Sequence, residues 1–222
     1  MKKFLGEENI YDDPETSFGV VVPIPFEFST SYGKGASKGP QAIIYASEYV
    51  ELYDEVLDCE TFKRGILTAE YPEYNNNPAK AFGQIRKKIK KYVDDKKFVV
   101  ALGGEHSISQ AVFATYDEKY DDLSVLQLDA HADLRDSYEG NKYSHASVMK
   151  RIWELNRNIV QCGIRSISKE ESDFIKENIC RNLKRITKIY ISISFTTILI
   201  FHTIKIHTII VYNTIISYIL SW

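Results

Sequence analysis

Cysteine is scarce and poorly placed for cross-linking: Cys59, Cys162 and Cys180 are odd in number, far apart and free of any Cys-x-x-Cys spacing. Neither a disulfide framework nor a thiolate zinc site follows from that set, so reduced, structural thiols are expected. The first residues, MKKFLGEENIYDD, lack an apolar run of signal-peptide length, which favours a cytoplasmic protein. Residues 181–222 lack Gly, Pro, Ala, Asp and Glu altogether, while thirteen of these 42 residues are Ile. Turns and caps draw on the missing types, so this tail is ill equipped to fold. Lys205, His202, His207 and Asn213 interrupt its apolar runs and leave no clean span of about 20 residues for a bilayer, so no membrane association is expected. Out-of-frame reading of an A/T-rich gene would yield such a composition without design. Residues 1–180 are therefore expected to form the domain proper, and 181–222 an aberrant tail.

The tail also skews the charge, because it holds five Lys and Arg and no acidic residue. Before residue 181, 23 basic residues face all 30 acidic ones, an excess of seven negative charges. Such a body matches nucleic acid poorly and suits a cationic small molecule. With 44% hydrophobic residues, the 222-residue chain is long enough for one sizeable core.

What is present alternates between strand and helix patterns. FGVVVPIPF (18–26) reads as a buried strand, and Pro40 suits the first turn of a helix over 41–56. Gly33, Gly35 and Gly39 resemble a dinucleotide loop only loosely, being spaced one residue too long and set apart from the strand. Residues 77–97 predict a helix with Phe82, Ile85, Ile89, Tyr92 and Val93 on one side and a solvated lysine face. FVVALGG (98–104) predicts a second strand, 107–120 a helix, and 122–133 a third strand. Helix 144–156, strand 158–166 and helix 168–179 follow. The alternation indicates an α/β fold with a parallel sheet covered on both faces, whose ligands bind beyond the carboxyl ends of the strands.

Chemistry-bearing residues gather at two of those ends. Glu105-His106-Ser107 follows FVVALGG, and Asp129-Ala130-His131-Ala132-Asp133 follows SVLQL. In an extended backbone, side chains at i, i+2 and i+4 share a face, so Asp129, His131 and Asp133 are expected to converge. A lone Asp-x-His is ordinarily a buried hydrogen-bonded pair. Here, however, three of five histidines, His106, His131 and His145, fall in this neighbourhood, and adjacent carboxylates repel unless a cation neutralises them. The oxygen and nitrogen donors favour Mn, Fe, Co or Zn over thiolate-bound metals.

GGEHS followed by DAHADLRDSYEGNKYSHASVMKRI resembles the arginase and agmatinase family of manganese ureohydrolases, nearest its agmatinase branch. FGVVVPIPF and GKGASKGPQAI are similar to the family's N-terminal strand, loop and helix. The resemblance covers residues 18–180 and implies a three-layer αβα fold with a mostly parallel sheet, truncated at its C-terminal side. It further implies two Mn(II) ions, His106 and Asp133 on one, His131 on the other and Asp129 bridging both. The family reaction is hydrolysis of a guanidinium group to an amine and urea. His145 matches the family histidine that delivers a proton to the leaving amine; otherwise it reads as a helix-cap or surface histidine. Agmatine, giving putrescine and urea in polyamine biosynthesis, is the implied substrate, with arginine or another guanidino acid as the alternative. The resemblance also implies a trimeric or hexameric homo-oligomer. Arg135 and Asn141 lie where substrate recognition would fall; without such a role, Arg135 would pair with Asp136 or Glu139.

The chain departs from the family in one respect. Members carry a later Ser-x-Asp-x-Asp and a further glutamate, and no Asp-x-Asp occurs in these 222 residues. The nearest echo, Ile191 to Thr196, places Ser194 and Thr196 where aspartates belong. A hydroxyl cannot bridge two divalent ions as a carboxylate does, so an incomplete second metal site and an impaired enzyme, or a noncatalytic metal-binding remnant, are expected.

Overall fold

The computed structural model describes residues 2–74 and 77–179 and the backbone of 207–212. Two compact units divide between Tyr116 and Asp117. Every pairing between named strands is parallel, as the alternating pattern predicts, and the strands form two three-stranded sheets.

In the first unit, β1 (Gly19–Ile24) lies between β2 (Ile66–Thr68) and β3 (Phe98–Gly103). Every residue of β1 is buried, which explains its continuous apolar run. Its proline is tolerated because β2 pairs only with Gly19, Val20 and Val21; at Pro23 the ladder runs to β3 alone among the described residues. β2 escapes the sequence analysis, being only three residues long.

The helix expected over 41–56 is shorter in fact. α1 spans Gly39–Ala46 and ends in a single 3-10 turn, Ser47–Tyr49. Ser47 Oγ accepts the Leu5 N–H at 2.8 Å and donates to the Ile44 carbonyl, and Asp54 Oδ1 takes the N–H groups of Val56 and Leu57. These local side-chain bonds compete with the helical ladder and turn the chain instead. α2 (Pro78–Asp94) follows its pattern closely. Asn77 caps it by accepting the Lys80 N–H, Pro78 opens it, and Phe82, Ile85, Ile89, Tyr92 and Val93 are buried. α3 (Ser109–Asp117) closes this part of the chain.

In the second unit, β4 (Leu123–Leu128) lies between β5 (Ile159–Cys162) and β6 (His207–Tyr212). β6 falls inside the Ile-rich tail, where HTIIVY has strong β propensity. α4 (Val148–Leu155) buries Val148, Met149 and Ile152, and α5 (Lys169–Phe174) continues into one π-helical turn, Ile175–Ile179. Cys180, Ser194 and Thr196 lie outside the described residues. No described helix is long and apolar enough to cross a membrane.

Candidate metal centre

His106 belongs to the first unit. β3 ends at Gly103, and a 3-10 turn, His106–Ile108, leads into α3, so the imidazole is carried at a strand end and is buried. Two features fix this corner. A Cβ on Gly104 would run into the Phe26 carbonyl, so only glycine lets the loop after β1 approach so closely. Buried Glu105 accepts the N–H groups of Phe28 and Ser29 at 2.5 and 2.6 Å, and the hydroxyls of Ser29 and Ser107. Its role is to tie the two loops together.

The loop after β1 is held a second time by Glu27, which accepts the N–H groups of Gly35 and Ser37 and the Ser37 hydroxyl. The Ser37 N–H, followed by Gly35 and the Ser37 hydroxyl, keeps the Glu27 carboxyl below the usual carboxylate range. A cavity of about 610 Å³ lies beside this loop, lined by Phe26, Glu27, Phe28, Lys34 and Tyr74 among others. Burial pushes the Tyr74 hydroxyl up to about 12.

Asp129, His131 and Asp133 belong to the second unit, just past β4. The backbone there is not the continuous extended run expected. β4 stops at Leu128, the chain bends at Ala130, and Asp133 has φ 52°, in the left-handed region. Such a conformation costs a non-glycine residue about 1–3 kcal/mol and persists only where neighbours impose it. Here the Asp133 carbonyl accepts the N–H groups of Met149 and Lys150, satisfying orphan donors in the first turn of α4.

The consequence is that Asp129 and Asp133 come together through a folded turn. Their residues are 6% exposed, and each offers a carboxylate oxygen within 4.8 Å of the other. The His131 side chain remains 60% exposed, with Nδ1 3.8 Å from Asp129 Oδ1. Two carboxylates buried this close place two negative charges where a divalent cation would neutralise them. Carboxylate oxygens of this kind fit a hard or borderline divalent ion.

His145 opens a 3-10 turn before α4 and is half-buried. Capping falls to Ser144, whose hydroxyl accepts the Ala146 N–H and also lies 3.3 Å from His145 Nδ1. The Tyr138 ring packs edge-on against the imidazole, and the Arg135 N–H bonds the Ala146 carbonyl, tying the His145 segment to the carboxylate turn. Arg135 does not pair with Asp136 or Glu139 as its surroundings in sequence suggest. Its Nε lies 4.0 Å from Glu171, while Asp136 pairs with Arg151. Asn141 closes a tight turn with Tyr138, in which Glu139 and Gly140 both have positive φ.

Three buried polar residues near the turn were not singled out in sequence: Gln127, Gln161 and Glu171. Glu171 accepts the N–H groups of Leu134 and Ser168, joining the turn to α5. A Gln at the alternate positions filled by Leu123 and Val125 on β4 and by Ile159 on β5 is the signal that could have found the first two.

A model of the arginase family matches residues 19–193. The chain is 40% identical over 183 residues to the N(1)-aminopropylagmatine ureohydrolase of Synechocystis sp., covering 79% of this chain and 60% of that protein. It is 35% identical to the agmatinase of Bacillus cereus, over 73% of this chain and 57% of that protein. Among solved structures, the agmatine ureohydrolase of Thermoplasma volcanium aligns with a TM-score of 0.70 at 30% identity, covering 78% of this chain and 58% of that one. Arginase from Bacillus subtilis aligns with a TM-score of 0.59 at 26% identity, over 72% and 60%. The chain thus spans about three fifths of the length of the relatives it matches.

Proposed function

This chain belongs to the arginase family, and from that we propose that its protein hydrolyses a guanidino group with divalent metal, manganese by preference, and takes agmatine to putrescine and urea. The observation that carries the proposal is the buried pair Asp129 and Asp133, close together beyond the carboxyl end of β4. In this assignment His106, Asp129, His131 and Asp133 would hold the metal. Bound there, the ions supply a water acidic enough to attack a guanidinium carbon at neutral pH.

The chain's own residues do the remainder. The acidic body draws in a cationic substrate. Asp129 Oδ1 accepts the His131 N–H at 3.0 Å, which fixes the carboxylate plane. His145, of the one side-chain type that ordinarily changes charge near neutral pH, gives its proton to the departing amine, oriented by Ser144 and Tyr138. Agmatine has no α-carboxylate, so no cluster of donors for one is required. A second substrate, N(1)-aminopropylagmatine, is favoured by the 40% identical Synechocystis relative of that name.

The test is urea release from agmatine, aminopropylagmatine and arginine with added Mn(II). The 222-residue chain is assayed beside a version extended with a family-like segment bearing Ser-x-Asp-x-Asp. Release from agmatine by the extended version alone is expected. Preference for aminopropylagmatine would establish the second substrate, and preference for arginine would displace both. No urea from any of the three would sink the assignment.

A further inference from the structure

The carboxylate turn is held from beneath by two glutamines. Gln127 on β4 and Gln161 on β5 are register partners in a parallel pair, so their side chains emerge on one face of the sheet. Gln127 is fully buried and Gln161 is 6% exposed. Leu123 and Val125 precede Gln127 on its face of β4, and Ile159 precedes Gln161 on β5, all of them buried. Both amides therefore occupy positions that the pattern reserves for apolar side chains.

Their hydrogen bonds run toward the turn. Gln161 Nε2 donates to Gln127 Oε1 and, at 2.8 Å, to the Ala132 carbonyl. Gln127 Nε2 donates to Asp129 Oδ2 at 3.3 Å and to the His131 carbonyl at 3.2 Å. Turning either amide over would set an oxygen against these acceptors, so the orientation of both is unique. One neutral network thus grips the Asp129 carboxylate and the carbonyls of His131 and Ala132, the three residues leading into strained Asp133.

Resting on the metal assignment above, we infer that Gln127 and Gln161 are positioning residues that preset the Asp129–Asp133 turn for a divalent cation. Neutral amides suit this task. A Lys or Arg in the same place would compete with the ion for Asp129, whereas an amide orients the carboxylate without cancelling its charge. Folding alone does not demand them, because a buried hydrogen-bonded pair is worth little more than well-packed apolar groups of the same shape.

The test uses Gln127→Met, Gln161→Met and the double variant in the 222-residue chain. Mn(II) affinity is read from the electron paramagnetic resonance of free ion, and the fold is followed by circular dichroism. Each single variant is expected to weaken Mn(II) binding about tenfold to a hundredfold while remaining folded. The double variant should lose little more than the weaker single, since the two amides act as one network. Should the variants unfold, the side-chain NH2 resonances of Gln127 and Gln161 in the unaltered chain supply the second readout. They are expected to shift on addition of diamagnetic Zn(II), and unmoved resonances overturn the inference. Asp129→Asn separates it from the metal assignment. Binding that Asp129→Asn abolishes but both Met variants leave unchanged overturns the positioning role alone, whereas no binding by the unaltered chain overturns both.

Discussion

Glu27 shows how one charged side chain can organise a loop without touching any proposed ligand. Backbone N–H groups of Ser37 and Gly35 and the Ser37 hydroxyl converge on its carboxylate, and that convergence lowers its pKa from the ordinary 4.5. Because the folded value lies below the unfolded one, the stabilisation is complete above about pH 4.5 and is lost as pH falls through the folded value. Glu27→Gln removes this dependence and leaves that of the other carboxylates, Asp13 and Asp173 among them, whose pKa values are also lowered. Urea midpoints measured between about pH 6 and about pH 3 should therefore fall more for the unaltered chain than for Glu27→Gln. Parallel slopes would mean that Glu27 ionises alike in folded and unfolded chains. None of this was legible in the sequence, where Glu27 is one acid among thirty. Its partners are backbone groups eight and ten residues on, and a loop has no periodicity that would announce them. The placing of buried His106, Asp129 and Asp133 past strand ends was legible, because they follow apolar runs. What the sequence did not convey was the left-handed Asp133, since a strand pattern carries no sign of where the strand stops.

Elements with a complete set of local signals were read correctly, and those without were not. α2 has a capping Asn, an opening Pro and an uninterrupted apolar stripe, and it lies within three residues of the expected bounds at each end. α1 lost its second half to the side chains of Ser47 and Asp54, a competition that periodicity does not register. α5 has the strongest local signal of all. Ser168 accepts the Glu171 N–H, and Glu171 Oε2 accepts the Ser168 N–H at 2.7 Å, a reciprocal capping box. The same Glu171 also accepts the buried Leu134 N–H, so its two oxygens serve the helix and the carboxylate turn at once. Ser168→Ala should cost about 1 kcal/mol, the usual worth of a cap. Glu171→Ala strands two backbone donors, and a buried unsatisfied donor costs about 1–3 kcal/mol, so it should be the more damaging. Thermal unfolding of the two variants decides the order, and a larger loss for Ser168→Ala would remove Glu171 from the support of the turn.

At the scale of the molecule the decisive quantity is charge. The carboxylate turn contributes Asp129 and Asp133, and no Asp-x-Asp occurs anywhere in the 222 residues to add the further pair that the family resemblance implies. Two divalent ions facing two carboxylates and one hydroxide leave an excess of about one positive charge in a desolvated place, which is costly. One ion facing the same two carboxylates is balanced. The 222-residue chain should therefore take up one Mn(II) with a clear end point and a second only at far higher concentration. The extended version bearing Ser-x-Asp-x-Asp should take up two. Titration followed by the resonance of free Mn(II) distinguishes these, because the end point counts ions independently of any turnover. Two tight ions on the 222-residue chain would mean that other side chains supply the missing charge, and the first to test would be Glu105 and Glu171, the buried glutamates beside the two proposed ligand segments.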